Sequence, residues 1–229
     1  MRIGGLQKFS LIDYPDKVCC VVFTQGCNFR CGFCHNPELV QPEKFIPPLS
    51  EQEAFSFLKS RRGKLDGVVI TGGEPTVQPD LLRFIDKVKK SNFKVKLDTN
   101  GSKPEVLKKA LGERLLDYIA MDIKGPLERY PEITNSLIDT SKIKQSMALI
   151  MSSGLPYEFR TTVVNGQLKQ DDFVEIGRLI KGARLYVLQK FVVSKANDPA
   201  FLQRKSPSDE ELKQFQNLIS PYVSKCLIR

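Results

Sequence analysis

The strongest constraint on the fold is a regular alternation of short apolar runs with segments of helical character. The six apolar runs, rich in Val, Ile and Leu, are residues 18–24, 67–71, 94–99, 118–123, 157–164 and 184–193. The segments with helical spacing or helix-capping residues are 50–61, 79–85, 103–111, 141–153, 171–180 and 208–219. Strands that alternate with helices form parallel sheets through right-handed crossovers. Because these units number fewer than the eight of a closed barrel, the sequence predicts an α/β fold, an open (partial) TIM-like barrel of parallel strands.

The length of 229 residues suits one domain. We expect a single domain over 1–229, with an N-terminal extension (1–17), a βα core (18–193) and a C-terminal helical tail (194–229). Hydrophobic residues make up 41% of the chain, which is enough to bury a substantial core. There is no internal repeat and no low-complexity tract to suggest a repeat architecture.

The expected location is the cytoplasm, without a membrane partner. The sequence from Met1 onward lacks the apolar run of a signal peptide, and no later apolar segment is long enough to span a bilayer. In a reducing compartment, clustered cysteines favour metal binding over disulfides. Cys19 and Cys20 lie inside an apolar run and are expected in the core, and Cys226 has no partner visible in the sequence.

A formal charge of +9 raises the question of nucleic-acid binding. The charges are scattered, as in Lys87, Lys89, Lys90, Lys94 and Lys96, and no nucleic-acid motif accompanies them. We therefore assign most of them to solvated faces and expect no direct nucleic-acid binding. A smaller share is available for docking an acidic macromolecule.

The most informative local motif consists of Cys27, Cys31 and Cys34, separated by three residues and then by two, with no fourth cysteine nearby. A structural zinc site closes its tetrahedron with four protein ligands, often as paired CxxC units. A [4Fe–4S] cluster also needs four ligands, one for each iron. Three local cysteines would leave one iron open, which indicates chemistry at that iron rather than simple electron transfer.

Polar motifs also follow the ends of predicted strands, where parallel α/β folds place their functional groups. Besides the cysteine loop, these motifs are Gly72-Gly73-Glu74, Asp98-Thr99-Asn100-Gly101 and Asp122-Ile123-Lys124. The glycine pair and Asn100-Gly101 are each compatible with a plain turn. In the functional interpretation, the glycines let a ligand approach the backbone and Glu74 offers a carboxylate to an ammonium group.

Charged side chains on the fourth and fifth predicted strands need partners. Strand periodicity places Asp122 and Lys124 on one face, so they pair either with each other or with a ligand. Arg160 shares a face with Glu158 and forms either a structural ion pair, with Glu158 or with a carboxylate of another strand, or a clamp for a ligand carboxylate. His35, the one histidine, lies beside Cys34, which favours a supporting role near a cluster over a role as catalytic base.

These motifs carry a family resemblance. Cys27-x-x-x-Cys31-x-Phe33-Cys34 resembles the CxxxCxΦC signature of radical S-adenosylmethionine (SAM) enzymes, and Gly72-Gly73-Glu74-Pro75 resembles the second motif of that superfamily. The resemblance implies a partial barrel that holds a [4Fe–4S] cluster on the three cysteines. It also implies that SAM chelates the open iron and is cleaved reductively to a 5′-deoxyadenosyl radical that abstracts hydrogen from a substrate.

The resemblance extends to the residues that would bind SAM. It implies that Phe33 packs near the adenine, and that Gly73 and Glu74, with Gly72 beside them, meet the methionyl amino group. Asp98-Thr99-Asn100 and Asp122-x-Lys124 resemble elements of glycyl-radical-enzyme activases. In that family the two aspartates help to form a monovalent-cation site beside SAM, to which we add Thr99 here, and the lysine lies near the polar groups of SAM. Arg160 matches a strand-five arginine of the same activases.

The sixth predicted strand departs from the pattern. Activases of the formate-lyase type carry a histidine there, whereas this chain has Val187-Leu188-Gln189-Lys190-Phe191. The adenosyl contact at this strand is therefore either Gln189 or Phe191, and the departure favours a different subgroup. We count Phe191 and His35 among the candidate cofactor contacts.

The N-terminal stretch narrows the resemblance. Residues 5–15, 23–31 and 34–39 resemble activating proteins of the anaerobic (class III) ribonucleotide reductase. The implied function is a radical SAM oxidoreductase that generates a glycyl radical on that reductase, with an electron donor such as flavodoxin or ferredoxin. The alternatives are an activase of another glycyl radical enzyme such as pyruvate formate-lyase, a small-molecule radical SAM enzyme, and a zinc- or cluster-stabilised binding protein without enzymatic activity.

Overall fold

The computed structural model describes all residues from Met1 to Arg229. Its strands are β1 (Ile3–Ser10), β2 (Cys19–Thr24), β3 (Gly67–Gly72), β4 (Lys94–Thr99), β5 (Tyr118–Asp122), β6 (Tyr157–Val163), β7 (Tyr186–Lys190) and β8 (Cys226–Ile228). Its helices are α1 (Pro37–Val40), α2 (Glu51–Ser60), α3 (Leu81–Lys90), α4 (Pro104–Gly112), α5 (Tyr130–Thr134), α6 (Thr140–Ser152), α7 (Gln170–Leu179) and α8 (Asp209–Ile219). No helix combines the length and the apolar character that a membrane span requires.

The eight strands form one sheet in the order β1 to β8. Strand β1 is antiparallel to β2, whereas the pairs β2–β3, β3–β4, β6–β7 and β7–β8 are parallel. Because β1 and β8 are the two edges, the sheet is open. The predicted α/β class with an open sheet of mostly parallel strands is confirmed.

The chain folds into two compact units. The first comprises Met1–Asn28, Glu38–Thr99 and Lys103–Ile119, with strands β1 to β4 and the start of β5. In its core, the buried faces of α2, α3 and α4 supply Leu58, Phe84, Ile85 and Leu107, among others. Ser50 and Glu53 form a capping box at the start of α2, in the segment 50–61 that was predicted to be helical.

The second unit comprises Phe29–Pro37, Asn100–Ser102 and Ala120–Arg229, with the end of β5 and strands β6 to β8. Helices α6, α7 and α8 contribute Met147, Phe173 and Phe215 to its core, and the rings of Phe173 and Phe215 stack with centroids 4.1 Å apart.

Four elements were not predicted. Strand β1 lies in the segment that we expected to be an extension, and β8 lies in the tail that we expected to be helical. Helices α1 and α5 have only four and five residues, too few for a helical period to show in the sequence. Strand β8 places Cys226 in the sheet, opposite Tyr186 of β7.

Candidate active site

In the first unit, the loop after β3 is held against the loop after β2. Gly73 N–H donates to Thr24 O and Glu74 N–H donates to Gly26 O, both at 2.8 Å. A Cβ atom on Gly73 would lie 2.1 Å from Gly26 O, and one on Gly72, whose φ is +117°, would lie 2.3 Å from Thr24 N. Both glycines are therefore required by the neighbouring backbone at the entrance to the cysteine loop.

Glu74 joins the ends of β3 and β4. Its side chain is buried, and its Oε1 accepts hydrogen bonds from Thr76 N (3.0 Å), Thr76 Oγ1 (2.5 Å) and Thr99 Oγ1 (2.7 Å). We expected this carboxylate to meet a ligand ammonium group. The structure gives one of its oxygens three protein donors, so Glu74 also has an architectural role.

Asp98 and Lys96 form an ion pair on β4, with 2.6 Å between Lys96 Nζ and Asp98 Oδ1. Only 2% of the Lys96 side chain is exposed, and its Nζ lies 5.9 Å from the centre of the Tyr118 ring. The assignment of Lys96 to the solvated surface charge was wrong. The sequence signal was its spacing of two from Asp98, which puts both side chains on one face of the strand.

In the second unit, Asn100 and Gly101 form a tight turn after β4. Asn100 is buried and its Oδ1 accepts a hydrogen bond from Ser102 N at 3.0 Å, as in an Asx turn. Gly101 has φ +75°, and a Cβ atom there would lie 2.0 Å from Met121 Cε. Both residues therefore take part in the turn, and a contact of Asn100 with the cofactor stays a prediction.

The cysteine loop divides between the units, with Cys27 in the first and Cys31 and Cys34 in the second. Cys31 is buried, and Cys34 N–H donates to its carbonyl oxygen at 3.2 Å. Burial raises the pKa of the Cys31 thiol to about 11, although the nearby charge of Lys124 opposes this. None of the six cysteines forms a disulfide.

Asp122, Lys124 and Arg160 form a group of ion pairs in the second unit. Asp122 Oδ2 lies 3.0 Å from Lys124 Nζ, and its Oδ1 lies 2.9 Å from Arg160 Nη2 and 3.0 Å from Arg160 Nε. Burial alone would raise the pKa of Asp122, but the two cations lower it to about 2. The same ion pair raises the pKa of Lys124 in spite of burial. Asp122 and Lys124 are thus paired with each other, as one of the two predicted arrangements required.

The aromatic candidates contact the charged cluster and the strand end. Phe33 is buried, with Lys124 Nζ 5.6 Å from its ring centre. His35 stacks on Phe191 with ring centroids 5.0 Å apart, and its Nε2 lies 2.9 Å from Val192 O. The structure therefore brings together His35 and Phe191, two candidates from distant parts of the sequence, just after β7.

Sequence reasoning missed the contribution of β8. Glu158 on β6 is buried, and its Oε2 lies 2.9 Å from Nη1 of Arg229, directly after β8. Glu158 also lies near Arg160, with 3.9 Å between Oε1 and Nη1. Arg229 gave no signal because a three-residue strand is too short to be recognised from its pattern.

The three cysteines of the loop suit a cluster chemically. Thiolates are the protein ligands of [4Fe–4S] clusters. No group of three or more His, Cys, Asp or Glu side chains lies close enough together to hold a single metal ion. A cluster makes a different demand, because it binds each thiolate through a separate iron.

The Radical SAM superfamily profile matches residues 21–180, which span the cysteine loop, the glycine loop and the Asp122 cluster. The chain belongs to the Radical SAM superfamily. Membership implies a [4Fe–4S] cluster and SAM as cofactors.

Two relatives and one solved structure illustrate what this Radical SAM protein is similar to. A protein of Methanocaldococcus jannaschii, provisionally named a glycyl-radical enzyme activating enzyme, is 32% identical over 99% of this chain and 95% of its own length. The pyruvate formate-lyase-activating enzyme of Streptococcus mutans is 28% identical over 78% of this chain and 72% of its own length. The structure of Streptococcus suis SuiB bound to S-adenosylmethionine superimposes with a TM-score of 0.65 at 12% identity, covering 91% of this chain and 49% of SuiB. That last likeness concerns the fold alone.

Proposed function

We propose that the protein is an activating enzyme that generates a glycyl radical on anaerobic ribonucleotide reductase. The observation that carries the activase assignment is the full-length similarity to the M. jannaschii relative, combined with the Radical SAM match. The choice of reductase rests on the N-terminal resemblance in residues 5–15 and on the stretches that flank the cysteines.

In this proposal, Cys27, Cys31 and Cys34 hold the cluster. When bound, the cluster and SAM supply the 5′-deoxyadenosyl radical that removes hydrogen from the target glycine. The protein supplies positioning: the glycine loop fixes the turn into the cysteine loop through Gly26. In the same proposal, the buried ring of Phe33 packs near the adenine of SAM.

The ion pairs among Asp122, Lys124 and Arg160 orient the polar end of SAM. Lys124 offers an ammonium group to the SAM carboxylate, and Asp122 with Arg160 keeps that ammonium in place. A monovalent cation at Asp98, Thr99 and Asp122 belongs to the same proposal. Such a cation competes with Lys96 for Asp98, and with Lys124 and Arg160 for Asp122.

The target is tested by a radical assay. The protein is reduced without oxygen and incubated with SAM and either anaerobic ribonucleotide reductase or pyruvate formate-lyase. We expect the doublet of a glycyl radical in the electron paramagnetic resonance spectrum with the reductase, using flavodoxin or ferredoxin as the electron donor. A strong doublet with pyruvate formate-lyase and none with the reductase would assign the protein to that enzyme instead.

Two further alternatives have distinct signatures. A small-molecule radical SAM enzyme would cleave SAM productively without any glycyl radical protein. A zinc- or cluster-stabilised binding protein would be colourless or would leave SAM intact. Brown protein that cleaves SAM, together with a protein-borne doublet, supports the activase over both.

A further inference from the structure

A continuous series of ion pairs within the second unit runs from Arg229, directly after β8, to Lys124, beside the cysteine loop. Its members, in order, are Arg229, Glu158, Arg160, Asp122 and Lys124. At its inner end, Lys124 Nζ lies over the ring of Phe33. At its outer end, Arg229 is 41% exposed, whereas Glu158 is only 1% exposed. These ion pairs therefore link Arg229, at the edge of the sheet, to Asp122 and Lys124, the residues that we propose to orient SAM.

The two carboxylates compete for Arg160. Arg160 lies 3.9 Å from Glu158 but 2.9 Å from Asp122, so it binds Asp122 more closely. Glu158 in turn is bound by Arg229, whose Nη1 contacts both carboxylate oxygens, at 2.9 and 3.2 Å. Because a buried carboxylate without a cation is costly, removing Arg229 would make Glu158 a stronger competitor for Arg160.

The backbone of Arg229 is fixed by β7. Arg229 N–H donates to Leu188 O at 2.9 Å, and Lys190 N–H donates to Arg229 O at 2.8 Å. The parallel pairing of Leu188 with Ile228 sets the register just before it. The pairing of β8 with β7 thus fixes the backbone of Arg229 where its guanidinium group can bind Glu158.

We propose that Arg229 is a positioning residue for SAM binding: by binding Glu158, it leaves Arg160 on Asp122 and Asp122 on Lys124. The inference rests on the proposed function, since SAM is the ligand that Lys124 and Asp122 orient. It assigns a role to β8, which contributes no residue to the cysteine, glycine or Asp-x-Lys motifs.

The test measures SAM affinity rather than turnover. The cluster-loaded protein is dialysed to equilibrium against SAM without reductant, for the wild type and for the variants Arg229→Ala and Arg229→Gln. We expect the dissociation constant for SAM to rise roughly tenfold in both variants. An effect of this size is typical of residues that orient the binding side chains without contacting the bound group themselves. Arg229→Lys keeps the charge and should retain most of the affinity. Lys225→Ala is the matched control, because Lys225 is exposed on the same segment and should leave the affinity unchanged.

A second substitution separates competition from general damage. If Glu158 disturbs the site by attracting Arg160, then Glu158→Gln removes the competitor, and the double variant with Arg229→Ala should return to within about twofold of wild-type affinity. A fold damaged by the loss of Arg229 would not be repaired in this way. Thermal unfolding of each variant verifies that the protein assayed is folded.

The outcomes distinguish this inference from the proposed function. Wild-type affinity in both Arg229→Ala and Arg229→Gln would overturn the positioning role while leaving the activase proposal intact. A double variant as weak as Arg229→Ala would also overturn it. A wild-type protein that carries its cluster but does not bind SAM would overturn the proposed function itself.

Discussion

At the scale of single residues, Gly73 has no room for a side chain. A Cβ atom would lie 2.1 Å from Gly26 O and 3.0 Å from Leu39 O, and both contacts are with backbone that cannot rotate away. We expect Gly73→Ala to lower the free energy of unfolding by about 1–3 kcal/mol, the usual cost of overpacking. The variant should also take up less iron, because Gly26 leads directly into Cys27.

Gly112→Ala is the control for this prediction. It lies at the end of α4 with nothing within 4 Å of the added Cβ atom, so urea denaturation should show wild-type stability or a small gain. Equal stability for Gly73→Ala and Gly112→Ala would mean that the glycine loop relaxes without cost.

The residues that sequence reasoning placed correctly are those with a local pattern. Alternation along β5 put Asp122 and Lys124 on one face, and the structure pairs them. The pairing of Arg160 was left open between Glu158 and other carboxylates, because which strand lies beside β6 depends on the whole sheet. The burial of Lys96 was missed, because this lysine was grouped with the scattered surface charges and its spacing of two from Asp98 was not used.

At the scale of elements, Asp117 ties α3 to the strand pair β4 and β5. Its Oδ2 accepts hydrogen bonds from Lys89 Nζ at 2.7 Å and Val95 N at 2.8 Å, and its Oδ1 lies 3.2 Å from Lys94 Nζ. Burial would raise the pKa of Asp117, but these three donors outweigh it, so the pKa lies below the ordinary value. A carboxylate with a depressed pKa stabilises the fold above its unfolded-state pKa of about 3.9 and loses that contribution as the pH falls through the folded-state value.

We therefore expect Asp117→Asn to destabilise the protein by about 1.5–3 kcal/mol at pH 7, as for a hydrogen-bonded charge. The difference from wild type should shrink below about pH 4. Denaturant unfolding at pH 7 and pH 3 measures both values. Asp86→Asn serves as the control, since the exposed Asp86–Lys90 pair should contribute only a few tenths of a kcal/mol. A pH-independent difference for Asp117→Asn would contradict the charge-based explanation.

The elements that could be predicted are those long enough to show an apolar run or a helical periodicity in their own sequence. The six central strands and the long helices show apolar runs or helical spacing within a single segment. Strand β1 exposes Gln7, Lys8 and Phe9 in succession, so its sequence lacks the alternation of a half-buried strand. Strand β8 has three residues, and its pairing with β7 depends on residues about forty positions earlier in the chain.

At the scale of the whole molecule, the order of strands and helices was enough to predict the class of fold. The strands lie side by side in the order in which they occur in the sequence. The edge strands β1 and β8 could not be predicted in the same way, because an edge strand has a neighbouring strand on one side only and its own sequence does not show this. The ion pairs between Arg229 and Lys124 depend on the edge strand β8, which Arg229 directly follows. The sequence motifs were therefore recognised without Arg229, the residue that we propose to position their side chains.

The cofactor content of the whole chain gives the last prediction. With three cysteine ligands in one loop, anaerobic reconstitution should load about four irons and four sulfides per chain, the content of one [4Fe–4S] cluster. Replacing Cys27, Cys31 or Cys34 by Ser should each abolish the brown colour, because a cluster already short of one protein ligand cannot lose another. Cys226→Ser should load like wild type, since Cys226 belongs to the pairing of β8 with β7 rather than to the cysteine loop. Iron and sulfide analysis with absorption spectra measures this, and a stoichiometry near one metal per chain, unchanged in Cys34→Ser, would contradict the assignment of the loop as the cluster site.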